Sequence, residues 1–206
     1  MNRLAREEQK LRSERMRQAI LDVAMEMGLR EGFDAVSIRK IIGRMNYSTG
    51  VVYYHFKDRQ EIIDAIVDAE TRRFNRMIVA MQDEKKDVLS NMEAIFHRVM
   101  LLAREEPEKY NLIVLRKYSG RAQDMPEWIA PLAAKLKRAM DEGDIRRADP
   151  GRAAFAVWSS FLGFHLTLSR QENLTPEEAE ALFKVEFDIL ARGLGRRDRE
   201  GKGVPA

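Results

Sequence analysis

Apolar residues recur at helical spacing through most of this chain, and that periodicity constrains its fold more than any other feature. No window shows sustained apolar and polar alternation, and no turn signal would pair two strands. Glycine and proline number only 12 and 6 of 206 residues, which agrees with long helices. The sequence therefore predicts an all-α protein of about nine helices. The first of them has the i, i+3, i+4, i+7 pattern at Ile20, Val23, Ala24 and Met27.

Composition excludes several classes of protein. The chain has no Cys, so it forms neither a disulfide scaffold nor a thiolate-ligated zinc or iron–sulfur site. With 45% hydrophobic and 33% charged residues it can bury a core. No secretory signal is visible, and no run of about 18 apolar residues could span a bilayer. We therefore expect a cytoplasmic protein that does not bind a membrane.

Caps and breaks place the helices within the periodic segments. Asn46 tolerates a left-handed backbone, so it predicts a tight turn between the second and third helices. Helix caps are predicted at Ser37, Ser48, Asp58 (with Glu61), Asp149 and Thr175 (with Glu178). The expected helices cover about 13–30, 38–45, 49–55, 59–82, 87–104, 107–118, 126–142 or 131–142 and 150–169, and a last helix runs from 176 to the tail at 193–206.

Positive charge is concentrated in the first 60 residues. They hold 12 cations and 8 anions, a net +4, whereas the rest of the chain holds 24 cations and 25 anions, a net −1. A cationic segment of this kind suits a polyanionic partner, but a charge run by itself is more often a solvated surface. The motif within the segment decides between these interpretations.

Two short helices joined by a tight turn, the second one polar and flanked by cations, are typical of a helix-turn-helix that binds DNA. The sequence SIRKIIGRMNYSTGVVYYHFKDRQEII, residues 37–63, resembles the DNA-binding domain of the TetR (tetracycline-repressor) family of bacterial regulators. The likeness covers about residues 20–67 and is most specific at VVYYHFKDRQEII. Departures occur at Ile42, Met45 and Asn46, where the family more often has Ala, Ala and Gly.

The resemblance implies two domains and a homodimer. Residues 1–60 would form the helix-turn-helix domain, and residues 61–206 a helical domain for effector binding and dimerisation. A two-fold dimer also suits a palindrome, because its recognition helices meet successive major grooves. No phosphate loop, nucleophile motif or cofactor motif is visible, so neither enzyme activity nor a cofactor is expected. His97 and His165 lack the partners that a metal site needs.

DNA chemistry assigns candidate roles within the motif. Phosphates accept hydrogen bonds from hydroxyls, amides and cations, whereas base edges are contacted by side chains at the exposed start of the recognition helix. Val52 and Phe56 are expected in the core, and Tyr47 either packs in the turn, the favoured interpretation, or contacts DNA. The DNA-binding candidates are Ser37, Arg39, Ser48, Thr49, Gly50, Tyr53, Tyr54, His55, Lys57 and Arg59.

Two alternatives stay open for the cation-rich first 17 residues. The segment lies along the DNA backbone or in a minor groove, or it is a solvated extension of the first helix. In the C-terminal domain, ligand-binding candidates are Phe74, Phe96, Met100, Tyr110, Tyr118, Trp128, Trp158 and Phe164, each of which also suits an ordinary core. The dimer candidates, which could instead face their own core, are Phe161, Leu162, His165, Phe183, Phe187 and Leu190.

The sequence therefore predicts a sequence-specific DNA-binding transcriptional regulator. The leading hypothesis is a repressor that a small hydrophobic or aromatic effector releases from a palindromic operator in double-stranded DNA. Two alternatives are a DNA-binding regulator without a small-molecule effector and an all-helical scaffold or enzyme.

Overall fold

The computed structural model describes residues 3–115, 129–171 and 173–195, and these residues form nine α-helices and no strand. The predicted all-α fold is confirmed. A 3-10 turn at Phe33–Ala35 and a π-helical stretch at Asn111–Leu115 complete the helical elements. The α-helices are α1 (Arg3–Glu31), α2 (Ile38–Met45), α3 (Thr49–His55), α4 (Arg59–Ala80), α5 (Val88–Glu105), α6 (Pro107–Tyr110), α7 (Ile129–Glu142), α8 (Pro150–Leu168) and α9 (Pro176–Leu194).

Some predicted boundaries were wrong. Helix α1 begins at Arg3 rather than near residue 13, because Arg, Glu and Gln favour helix even without an apolar stripe. The helix predicted over 107–118 is α-helical only to Tyr110 and π-helical from Asn111 to Leu115. Its last three residues and the predicted start of the next helix near 126 lie outside the described residues. Helix α4 ends at Ala80, two residues early.

The helix caps show which of the predicted capping hydrogen bonds form in the structure. Asp149 accepts a hydrogen bond from the Arg152 N–H, and Thr175 forms the full predicted capping box with Glu178. The predicted box at Asp58 and Glu61 is only half right. Asp58 Oδ1 accepts from the Glu61 N–H at 2.9 Å, but the Glu61 carboxylate accepts from the N–H of Lys57 instead of Asp58.

The described residues pack as two compact units, one from 3–77 and 106–115 and the other from 78–105, 129–171 and 173–195. The functional boundary predicted after residue 60 stays a prediction. Within the described ranges, no helix combines the length and apolarity that crossing a bilayer requires.

The core of the first unit positions α3. Gly28 on α1 is required there, because a Cβ at that position would lie 2.3 Å from Cε1 of Phe33. Leu112 joins this core from the π-helical stretch, although it is distant in sequence from the other members. Those members are Ile20, Leu21, Ala24, Met27, Phe33, Val36, Ile41, Val52, Phe56, Ile62, Ile63 and Ile66.

The second unit is built around an aromatic cluster. Phe96 of α5 packs on Phe161 of α8 with ring centroids 4.1 Å apart, and Phe183 and Phe187 of α9 stack at 6.1 Å. His165 is fully buried beside them, with its Nδ1 2.8 Å from the Phe161 carbonyl oxygen. Aromatic pairs at these distances add stabilisation beyond the burial of their surface.

Candidate nucleic-acid interface

The turn between α2 and α3 has the geometry that the sequence predicts. Ser37 caps α2, since its Oγ accepts from the Lys40 N–H at 3.3 Å. Asn46 follows α2 with φ 55° and ψ 34°, and its N–H donates to the Ile42 carbonyl at 3.0 Å. The left-handed residue reverses the chain, so that α3 begins only three residues later.

Helix α3 is buried on one side and open on the other. Val52 and Phe56 are fully buried, which confirms them as core. On the outer side, Tyr53 and Tyr54 are 53% and 78% exposed. Gly50 has nothing within 4 Å of an added Cβ, so that part of the helix lies open. Two apolar anchors therefore hold α3 while its other side chains face outward.

The structure bears on two predictions near the turn, those for Ser48 and Tyr47. Ser48 occupies the cap position of α3 with extended backbone, but its side chain makes no capping hydrogen bond, so that predicted cap is wrong. Its hydroxyl is therefore not committed to the helix. Tyr47 is 46% exposed, so its packing in the turn, the favoured interpretation, stays a prediction.

Cations near the motif divide into paired and surface groups. Lys40 and Arg44 both bind Glu31 of α1, at 3.0 and 2.5 Å. The hydrogen bond from Lys40 holds the pKa of Glu31 below its ordinary value. Because Glu31 precedes the motif, a charge count within the motif cannot register this pairing. Arg39 and Lys57 are exposed and remain candidates for phosphate contacts.

Arg59 has a structural role that sequence reasoning missed. Its Nε donates to the Val36 carbonyl and its Nη2 to the Phe33 carbonyl, both at 2.7 Å. The guanidinium also lies 3.7 Å from Asp34. Arg59 thus ties the start of α4 to the segment before α2. Its role as a phosphate contact stays a prediction. The guanidinium N–H groups that are not bonded to these carbonyls would be the donors to a phosphate.

His55 lies half-buried at the end of α3. Burial lowers its pKa below the ordinary value, and the charge of Arg17 acts in the same direction. The Tyr54 ring meets the His55 ring edge-on at 5.0 Å. A neutral imidazole donates one N–H hydrogen bond, which is sufficient for a phosphate oxygen.

The structure brings most of the predicted DNA contacts to one region. Seven of the ten are exposed, whereas Ser37, His55 and Arg59 are half-buried. Their contacts with DNA stay predictions. The exposed seven are Arg39, Ser48, Thr49, Gly50, Tyr53, Tyr54 and Lys57.

The predicted ligand residues do not form one group. Phe74 and Tyr110 belong to the first unit, and Phe96, Met100, Trp158 and Phe164 to the second, while Tyr118 and Trp128 lie outside the described residues. Burial raises the pKa of Tyr110. Phe96 and Phe164 line a cavity of about 10 Å³ in the aromatic cluster. Met100 lines a separate open cleft of about 280 Å³, with Leu101, Arg104, Pro176, Glu177 and Glu180.

Four predicted dimer residues, Phe161, His165, Phe183 and Phe187, lie in the core of the single chain. Burial lowers the pKa of His165 to about 4, against the effect of its backbone hydrogen bonds. Leu162 and Leu190 are half-buried. The large apolar side chains that these helices expose are Phe155 on α8 and Leu182, Val185 and Ile189 on α9. Helices with apolar residues on several sides do not reveal by periodicity which side meets a partner.

In residues 3–115, 129–171 and 173–195, no three or more His, Asp or Glu side chains are grouped to hold a metal ion. The outer side of α3 and the surface beside it hold most of the predicted DNA contacts.

Comparison with known proteins agrees with this geometry. The family model described as bacterial regulatory proteins, tetR family, matches residues 20–66, from α1 into α4. The chain is 27% identical to the uncharacterized HTH-type transcriptional regulator YobS of Bacillus subtilis over 171 residues, which cover 82% of this chain and 86% of that protein. Residues 20–66 therefore match the DNA-binding domain of the TetR family. This likeness supports a DNA-binding transcriptional regulator, in a family that is not enzymatic.

Solved structures share the TetR-family fold. A TetR-family regulator from Pectobacterium atrosepticum matches with a TM-score of 0.69 at 18% identity, covering 92% of this chain and 98% of that one. SmeT from Stenotrophomonas maltophilia matches with a TM-score of 0.67 at 24% identity, covering 92% and 93%. At these identities the likeness concerns the fold.

Proposed function

We propose that this protein is a dimeric repressor of the TetR family that a small hydrophobic or aromatic effector releases from a palindromic operator. The observation that carries the proposal is α3, which buries Val52 and Phe56 and exposes Tyr53 and Tyr54. An exposed aromatic side chain gains no free energy of burial in the isolated protein. Contact with DNA would cover these rings, which explains why they stand on the surface.

The roles on DNA follow from the exposed chemistry. Thr49 and Tyr54 contact base edges, and the open surface at Gly50 lets the backbone approach a base or a thymine methyl group. Tyr53 and His55 donate to phosphates, while Lys57 adds charge at the following turn. Phosphate contacts fix the register of the helix, and base contacts select the sequence.

A two-fold dimer is the natural form of such a regulator. Two recognition helices must meet major grooves about 34 to 36 Å apart, which a symmetric pair achieves on a palindrome. The exposed apolar residues of α8 and α9 support pairing through these helices. Phe155, Leu182, Val185 and Ile189 supply the contact surface, and the buried aromatic cluster supports it from within.

The effector proposal is supported by the aromatic cluster of the second unit and by SmeT. SmeT is described as the repressor of a multidrug efflux pump and has been solved as a complex with triclosan. A cavity of about 10 Å³ holds about one water, so an effector has to displace the rings around it. Binding then favours a conformation in which α4 shifts and the operator is held less tightly.

The small cavity also favours a second candidate, a DNA-binding regulator without a small-molecule effector. Among the described residues, the aromatic cluster is already closed around itself, as an ordinary core would be. In this case dimer formation and DNA binding proceed as above, and no hydrophobic compound changes operator affinity.

Two measurements test these proposals. Binding to the upstream DNA of its own gene should be at least about 1,000-fold tighter than to random duplex, and both should weaken with salt. The double variant Tyr53→Phe with His55→Gln should lose this binding, whereas Arg138→Gln on α7 should retain it. Equal affinity of the wild type for both duplexes would refute a sequence-specific regulator.

A thermal-shift screen separates the two candidates. A true effector at a hundredfold excess over its Kd raises the Tm by about 5 to 10 °C and lowers operator affinity. The panel includes triclosan and other hydrophobic aromatic compounds. If compounds raise the Tm without releasing DNA, the effector proposal fails and the second candidate stands.

A further inference from the structure

One stripe of α1 changes its chemistry along the helix. At 3.6 residues per turn, positions separated alternately by three and four residues lie on the same side. At the C-terminal end this stripe consists of Ile20, Ala24 and Met27, all fully buried in the core of the first unit. Toward the N-terminus the same stripe carries Ser13 and three cations, Arg6, Lys10 and Arg17. We call these three cations the basic row.

The basic row is separated from the acidic residues of the same helix. At about 100° per residue, its three members lie within about 40° of one another and have no carboxylate between them. Lys10 Nζ is 3.9 Å from Glu14 at the border of the row, but both side chains are exposed, so this pair is weak. Arg12 and Arg15 point more than about 120° away from the row.

Arg17 joins the basic row to the end of α3. Its guanidinium lies over the Phe56 ring, 4.8 Å from the centroid, and Phe56 directly follows the recognition helix. From there α1 continues toward its N-terminus, and Arg6 lies about 16 Å farther along the axis. The row therefore begins beside the proposed DNA-binding surface and extends away from it on the core-facing side of α1.

We propose that the basic row is a second contact with the DNA backbone, outside the helix-turn-helix, that follows the phosphates beside the recognition helix. A stripe that faced a protein surface throughout would stay apolar, as it does from Ile20 to Met27. Duplex DNA instead carries one negative charge per about 1.7 Å of axis and suits a row of cations. The inference rests on the proposed DNA-binding function and assigns the helical extension of α1 a part in it.

Two double variants distinguish an effect of the basic row from an effect of the total charge of α1. Arg6→Gln with Lys10→Gln removes two charges from the row, and Arg12→Gln with Arg15→Gln removes two from the other side of α1. Glutamine keeps a good helix propensity, and circular dichroism verifies that both variants remain folded. Each is measured on a duplex from the gene's own upstream region and on a random duplex of equal length, across a salt series.

The row variant should reduce the slope of log K against log salt by about 2, and should weaken binding about 60-fold at about 0.1 M salt. Both duplexes should be affected alike, because phosphates carry no sequence information. The control variant should stay within a few-fold of the wild type.

Equal losses in the two variants would overturn the proposal, since the effect would then come from overall charge. No loss in the row variant would overturn it as well. A wild type that fails to prefer its own upstream DNA refutes the proposed function instead, so the two failures are distinguishable.

Discussion

Aromatic side chains are used in opposite ways by the two units of this protein. In the first unit Tyr53 and Tyr54 stand on the outer side of α3, more than half exposed. In the second unit Phe161 and Phe183 close around a cavity of about 10 Å³. Exposure in one unit prepares a surface for a partner, whereas burial in the other stabilises the fold and obliges any effector to displace rings. Residue type alone therefore does not distinguish a surface aromatic residue from a core one, but exposure does.

The strongest test of this contrast separates the inner and outer aromatic residues around α3. Phe56→Ala should lower the free energy of unfolding by about 3 to 5 kcal/mol, because it empties a fully buried site. Tyr54→Ala should change it by less than about 0.5 kcal/mol and weaken DNA binding instead. Urea denaturation followed by circular dichroism measures both. Similar stability losses would show that the outer tyrosine belongs to the fold.

The buried aromatic cluster can be probed through His165. Its folded-state pKa of about 4 lies below the unfolded value near 6.5, so between these pH values the unfolded chain binds more protons. Stability should therefore fall as the pH drops through this window, by up to about 3 kcal/mol. His165→Gln should flatten that fall by about 1.4 kcal/mol per pH unit. Parallel curves for the wild type and the variant below pH 6.5 would contradict the burial effect.

Variants of Arg59 and Lys57 test which cations of the first unit stabilise the fold and which contact DNA. Arg59→Gln should cost about 1 to 3 kcal/mol of unfolding free energy, because the Phe33 and Val36 carbonyls lose their donors. Lys57→Gln should leave stability within about 0.5 kcal/mol and reduce the salt slope of DNA binding by about 1. A stable Arg59→Gln protein would refute the structural role.

Among the substitutions expected to lower stability, that of Asn46, in the turn before α3, should have the smallest effect. Asn46→Ala should cost about 1 to 2 kcal/mol, because alanine disfavours the left-handed backbone at φ 55°. Asn46→Gly should match or exceed the wild-type stability, since glycine adopts that conformation without steric cost. The comparison is made by thermal unfolding, and equal Tm values for the two variants would count against the backbone explanation.

Local signals predicted much of the fold. Periodicity located the helices, and Ser37, Asn46 and Thr175 act in the structure as the sequence indicates. These features depend on residues within one turn of each other, so they can be predicted from the sequence without knowledge of the tertiary structure. The exposed side of α3 was predictable for the same reason, because Val52 and Phe56 identify its buried side.

Contacts between distant segments could not be predicted. Arg59 reaches carbonyls 23 and 26 residues earlier, and Glu31 forms ion pairs with Lys40 and Arg44 from another helix. The dimer residues expected on α8 and α9 stay predictions, and four of them, Phe161, His165, Phe183 and Phe187, are buried within the single chain. Helix α8 is apolar around much of its circumference, so sequence alone did not distinguish its core side from the side bearing Phe155.

Leu112 sets the order in which this protein can mature during synthesis. The other members of its core cluster end at Ile66, yet the packing is complete only when Leu112 arrives 46 residues later. At a translation rate of about 5 to 20 residues per second, the nascent DNA-binding unit waits about 2 to 9 s with part of its apolar surface uncovered. We expect a fragment that stops at the end of the helix-turn-helix to leave part of this core uncovered, because it lacks Leu112.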